Sequence, residues 1–338
     1  MPELALPSTL PPTLNRISLR DIQRPVQQEL KAFQAYFRKE MEAKVLLINR
    51  IAHYILRHKG KQIRPLLVFL SAQTCGTIQD TTFQAAALVE LLHTATLVHD
   101  DVVDGAERRR GVFSINALWK NKVAVLFGDY LLSRGLLLAL RHQNYKLLHE
   151  VADAVRRMSE GELLQIEKAR KLDIDEETYF QIIGDKTGSL IAACTTCGAL
   201  STTDNPEAIT RMRIIGEKIG LAFQIRDDLF DYGVDDVGKP LGIDLQEKKM
   251  TLPLIYSLRQ VTPQKKREIM RIVRKRKKNA QDIKYISQFV EEAGGLAYAR
   301  KQMEQLAQEA LTILEAFPPS EARTALSHLI AYIVQRKK

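Results

Sequence analysis

Apolar residues return every three or four positions from about Val26 to Leu56, and the same period runs through most of the remaining chain. That spacing collects side chains on one face of an α-helix. Turn-forming residues interrupt it near His58–Gly60, Cys75–Thr81, Gly105–Gly111, Leu172–Glu176, Asp204–Pro206, Gly233–Asp244, Thr262–Pro263, Gly294–Gly295 and Pro318–Pro319. No segment alternates apolar and polar residues between hairpin turns, as a strand would. No solenoid-length repeat and no long linker divides the chain. The pattern therefore predicts one all-α domain over residues 1–338, behind a Pro-rich lead at 1–20. Its central helices are apolar nearly all round and are expected to be buried.

Two of those helical stretches carry the same polar device. One reads His93-Thr-Ala-Thr-Leu-Val-His-Asp-Asp-Val-Val-Asp104 and runs into Arg108-Arg109-Arg110-Gly111. The other is Phe223-Gln-Ile-Arg-Asp-Asp-Leu-Phe-Asp231. Each holds Asp-Asp-x-x-Asp: Asp100, Asp101 and Asp104, then Asp227, Asp228 and Asp231. The outer two aspartates of each cluster are four residues apart, so they share a helix face and repel by a few tenths of a kcal/mol. A lone cluster reads as a solvated acidic face. A pair set among apolar residues calls for a cation instead. Oxygen-only clusters select hard ions, and neither stretch has the spaced ligands and central glycine of a calcium loop. Mg²⁺ shared between carboxylates and a substrate diphosphate is the expected occupant.

Composition narrows the setting. The 45% hydrophobic and 27% charged fractions are those of a soluble globular protein. The first twenty residues hold Glu3 and four prolines, which does not read as a signal peptide. The longest apolar run, Val123 to Leu140, is broken by Asp129 and Arg134, so a cytoplasmic protein is expected. Cys75, Cys194 and Cys197 cannot build a disulfide framework, and Cys194-x-x-Cys197 reads as helix packing. Of the net charge of +10, the segment Lys265–Lys278 supplies +8, from nine basic residues and one acid. It lacks aromatic residues and any nucleic-acid motif, which argues against nucleic acid as a partner. A solvated helix face is the plain reading; an anionic membrane surface is the alternative.

Cations recur elsewhere at useful places. His58-Lys-Gly-Lys-Gln-Ile-Arg-Pro65 sets Lys61 and Arg64 at a helix start, where phosphate is readily bound. Lys186-Thr187 offers a charge and a hydroxyl, and the loop Gly238-Lys-Pro-Leu-Gly-Ile-Asp-Leu-Gln-Glu-Lys-Lys249 follows the second aspartate cluster. In this order, from about Gly60 to Leu254, the chain resembles the trans-isoprenyl diphosphate synthases, the polyprenyl synthetase family. It departs from the usual family pattern at Lys59-Gly60-Lys61-Gln62 and at Glu247-Lys248-Lys249.

The resemblance implies the all-α isoprenoid synthase fold, a homodimer, and a deep central cavity between the two Asp-rich helices. It implies that Asp100, Asp104 and Asp227 ligate Mg²⁺, with Asp101, Asp228 and Asp231 supporting them or binding through water. Arg109, Lys186, Thr187, Gln224, Lys239 and Lys249 would hold an allylic diphosphate and line the reacting centre. Lys61, Arg64, His93 and Arg110 would hold isopentenyl diphosphate. Ala95 and Thr96, one turn before Asp100, are small where farnesyl-making members carry an aromatic residue, which implies an open tunnel and a medium- or long-chain all-trans product. The rivals are a terpene cyclase, whose second metal motif usually differs from the one here, and an inactive regulatory subunit of a heteromeric synthase, which typically lacks aspartates that this chain keeps.

Overall fold

The computed structural model describes residues 18–58, 60–109, 111–233 and 242–335; Arg110 and Lys239 lie outside the described residues. The first half comprises α1 (Leu19–Gln23), α2 (Gln27–Met41), α3 (Leu46–Arg57), α4 (Ile63–Cys75), α5 (Asp80–Val103), α6 (Ile115–Arg141) and α7 (Tyr145–Lys171). Next come α8 (Glu176–Ile183), one π-helical turn (Gly184–Gly188), α9 (Ser189–Leu200), α10 (Pro206–Phe230) and α11 (Ile243–Gln246). The chain closes with α12 (Leu252–Arg259), α13 (Pro263–Val273), α14 (Ala280–Glu292), α15 (Gly295–Leu314) and α16 (Glu321–Gln335).

The expected breaks are built from ordinary caps. At Asp204–Pro206, the Asn205 side chain accepts hydrogen bonds from the Glu207 and Ala208 amides, and Pro206 opens α10 where no amide hydrogen is needed. The all-α expectation has one exception among the described residues, a ribbon that pairs β1 (Arg108–Arg109) with β2 (Val112–Phe113). Gly111, at φ 81°, makes this tight reversal without the strain another residue would carry. The reversal turns Arg109 back toward the end of α5.

Buried residues from Ile22 to Val334 form one apolar cluster, with α4, α5, α9 and α10 at its centre. Every residue of α9 from Ser189 to Ala199 is buried. Small side chains let its neighbours approach: a Cβ on Gly216 of α10 would lie 2.6 Å from the Ala192 Cα atom. Cys194 and Cys197 are both free and buried in this packing. Burial pushes the Cys194 thiol up to about 12, so it is a packing group and no nucleophile.

Helix α6 behaves differently from the sequence reading. It is long and apolar enough to cross a membrane by length and composition, despite Asp129 and Arg134. One side packs on α5, where Gly128 lies against His99 and Gly135 against Leu88 and Leu92. The other leaves Leu118, Val125, Leu126, Leu136, Leu137 and Leu140 exposed.

Candidate active site

Asp100 and Asp104 occupy the last turn of α5 and are exposed on one face, as their spacing predicts. Between them Asp101 turns inward, 4% exposed, and takes the Arg109 guanidinium with Nε and Nη2 each 2.8 Å from Oδ1. The ribbon after α5 thus delivers one arginine to the cluster, and the middle aspartate anchors it. Partial burial of the Asp100 carboxyl, then the charges of Glu162 on α7 and of Asp104, raise its pKa against the pull of Arg109 and Lys186. Those four groups come from α7, α5, the ribbon and the π-turn. They converge on one carboxylate.

The π-turn bridges the two clusters. Lys186 pairs with Glu162, beside Asp100. The next residue, Thr187, donates its hydroxyl to Gln224 Oε1 at 2.9 Å, beside the second cluster on α10. Wider π-type turns are frequent at functional sites because they redirect side chains that an α-helix would aim elsewhere. This one is clamped from both sides by close backbone approach. A Cβ on Gly161 of α7 would lie 2.9 Å from the Lys186 amide nitrogen, and one on Gly220 of α10 would lie 2.6 Å from Gly188 Cα. Asp185 adds an ion pair to Arg157, with Nε to Oδ1 at 2.8 Å.

In the second cluster the aspartates divide their work. Asp227 is half-buried. Asp228 is buried, and both its oxygens are engaged: Tyr179 donates to Oδ2 at 2.7 Å and Gln224 Nε2 to Oδ1 at 3.0 Å. Burial, then the charge of Asp244, pushes the Asp228 carboxyl up to about 7 against the lowering by these two hydrogen bonds. Asp231 accepts the Ile243 amide at 2.8 Å and the Asp244 amide at 3.2 Å, so it caps α11. Lys249 then pairs with Asp244 at 3.0 Å and Glu247 at 2.9 Å. Burial opposes the Lys249 charge, but these carboxylates hold its pKa above the usual lysine range.

At the other proposed subsite, Lys61 is exposed just before α4, with Nζ 3.3 Å from the Tyr332 hydroxyl of α16. Arg64 is half-buried and His93 is buried, on the adjacent helices α4 and α5. Ala95 is fully buried and Thr96 half-buried. Leu88 and Leu92, which share the Ala95 face, reach over Gly135 of α6; a Cβ there would lie 3.2 Å from Leu92 Cδ2.

Five of the expected site residues are therefore each tied to one of the two clusters: Arg109 through Asp101, Lys186 beside Asp100, Thr187 and Gln224 through Asp228, and Lys249 through Asp244. Three residues escaped the sequence reading. Glu162 is one acid among several on α7, Tyr179 lies in an apolar helical run, and Asp244 lies in the Lys-rich loop after the second cluster. Only the position of Glu162 beside Gly161, on a helix passing the clusters, could have hinted at it. The donor set suits a hard cation, being all oxygen. Among the described residues no three carboxylate, imidazole or thiol groups converge to hold an ion unaided. An ion here would complete its shell with water and phosphate oxygens, which is how Mg²⁺ is commonly held.

An all-α bundle with an aspartate cluster at each of two helix ends, with lysine and arginine side chains beside them, is the layout of a class of diphosphate-handling proteins. Residues 45–290 match the family model "Polyprenyl synthetase". The chain is 33% identical over 324 residues to octaprenyl diphosphate synthase of Escherichia coli, covering 95% of this chain and 100% of that one. It is 35% identical over 320 residues to an all-trans-nonaprenyl-diphosphate synthase (geranyl-diphosphate specific) of Rhodobacter capsulatus, covering 94% and 98%. It superposes with a TM-score of 0.86 at 32% identity, covering 95% and 98%, on the polyprenyl synthase of Caulobacter crescentus crystallised with calcium and isoprenyl diphosphate. The chain belongs to the polyprenyl synthetase family, and its fold is the isoprenoid synthase fold.

Proposed function

We propose that this protein is an all-trans polyprenyl diphosphate synthase. It joins isopentenyl diphosphate head-to-tail onto an allylic diphosphate in repeated, Mg²⁺-dependent steps and releases a medium- or long-chain product. The observation that carries this reading is the π-turn, whose Lys186 faces the first aspartate cluster while Thr187 faces the second.

Asp100, Asp104 and Asp227 would hold the cation, with Asp101 and Asp228 committed to Arg109 and Gln224. When bound, Mg²⁺ supplies neutralisation of the departing diphosphate. Arg109, Lys186 and Lys249 add fixed positive charge where the allylic C–O bond breaks, which lowers the barrier to a resonance-stabilised cation. The isopentenyl double bond attacks that cation, and loss of one proton restores an allylic product for the next round; the released diphosphate is a suitable base. Lys61, Arg64 and His93 would orient the attacking substrate. The apolar wall of α5 keeps water from the cation. Small residues at Ala95 and Thr96 support an extended product.

The exposed leucine face of α6 supports a homodimer, since exposed apolar patches of this kind mark interaction surfaces. Arg267 and Arg271 of α13 and Arg274 at its C-cap are all exposed, which supports contact with an anionic membrane surface by an otherwise cytoplasmic enzyme that makes a lipid. The test is incubation of purified protein with Mg²⁺ and an allylic diphosphate, with and without labelled isopentenyl diphosphate. Label should pass into prenyl product. Conversion of the allylic substrate alone, without uptake of label, would favour the cyclase reading instead.

A further inference from the structure

Tyr179 has no place in the chemistry above, yet its position is unusual for a core tyrosine. It lies on α8, 4% exposed, and gives its hydroxyl to Asp228 Oδ2 at 2.7 Å. From there a line of hydrogen bonds runs to the site: Gln224 Nε2 donates to Asp228 Oδ1 at 3.0 Å, and Thr187 donates to Gln224 Oε1 at 2.9 Å. The line ties together α8, α10 and the π-turn. An amide has one donor end and one acceptor end. With its donor end on the Asp228 carboxylate, Gln224 must present its acceptor end to Thr187, which dictates where the Thr187 O–H points. Tyr179 holds the second oxygen of the same carboxylate.

We propose that Tyr179 is a positioning residue for prenyl transfer, which acts through Asp228 and Gln224 to hold the Thr187 hydroxyl at the diphosphate site. The inference rests on the function proposed above, but it can be read without turnover. Tyr179→Phe keeps the ring and removes only the donor. The variant should fold and melt within a few degrees of the parent. Its kcat should fall on the order of tenfold or more, and its KM for the allylic diphosphate should rise while that for isopentenyl diphosphate holds. Calorimetric titration with inorganic diphosphate and Mg²⁺ should show weakened binding. In an Asp228→Asn background, adding Tyr179→Phe should cause no further loss, because coupled residues are not additive. A lowered melting temperature with parental kcat, KM and diphosphate binding would reduce Tyr179 to a packing residue. Fully additive losses in the double variant would equally overturn the inference. A parent protein that takes up no isopentenyl diphosphate defeats the functional reading instead, and the calorimetric comparison still decides this one.

Discussion

The clamp on the π-turn gives a quantitative prediction. Changing Gly220 to Ala would put a Cβ 2.6 Å from Gly188 Cα, 3.2 Å from its nitrogen and 3.4 Å from its oxygen. Carbon atoms prefer about 3.5–4.0 Å, so the surfaces must part by roughly 1 Å. All three atoms are backbone, and no flexible side chain can swing aside. The turn cannot simply retreat, because Gly161 closes it from α7, with its own Cβ position 2.9 Å from the Lys186 nitrogen. Overpacking of this kind costs about 1–3 kcal/mol, offset by about 1 kcal/mol of helix propensity when Ala replaces Gly. The net loss of stability should therefore be small, a few degrees in melting temperature. Catalysis should suffer more, since a displacement near 1 Å of positioning groups can lower turnover on the order of a hundredfold. Gly184→Ala is the control, because its Cβ would meet only Leu221 Cδ2 at an ordinary 3.7 Å. Thermal melts and initial rates with labelled isopentenyl diphosphate measure both effects. A Gly220→Ala enzyme with parental melting temperature and kcat would refute the clamp.

Asp100→Ala should leave the fold intact, relieve the repulsion from Asp104, and lower kcat on the order of a hundredfold or more at saturating Mg²⁺; near-normal turnover would remove Asp100 from the metal set. Ala95→Phe introduces a ring into a fully buried position beside Leu92, at about 1–3 kcal/mol of overpacking. The first condensation should survive and the main product shorten toward farnesyl or geranylgeranyl length; chromatography of the dephosphorylated products would show an unchanged distribution if Ala95 is remote from the tail. Replacing Arg267, Arg271, Arg274 and Arg276 with Gln should weaken sedimentation with anionic vesicles by about 1 kcal/mol per residue near the surface, with turnover in detergent unaltered. Equal sedimentation of variant and parent would leave those residues as a solvated face.

Periodicity and spacing exposed what lies within one helix. The three- and four-residue rhythm marked the helices, and the Asp-x-x-x-Asp spacing put Asp100 and Asp104 on one face. What remained hidden depends on residues far apart in the chain. Tyr179 meets Asp228 across 49 positions, and neither carries a local sign of the other. Spacing grouped the outer aspartates on one face, but it could not show that the middle ones turn inward to Arg109, Tyr179 and Gln224, or that Asp231 caps α11. That division is settled by packing between helices. The exposed face of α6 was obscured for a related reason. Asp129 and Arg134 made the segment look ordinary, while its leucines divide between the α5 contact and the surface.

The central claim is that the two aspartate clusters serve one reaction, in which each condensation breaks one allylic C–O bond and forms one C–C bond. It is tested most directly by measuring, on the same purified sample, inorganic diphosphate released and labelled isopentenyl diphosphate incorporated. The account predicts a ratio of one to one throughout chain growth, abolished by chelation of divalent metal and restored by Mg²⁺. Release of diphosphate without incorporation, or incorporation that persists after chelation, would contradict it.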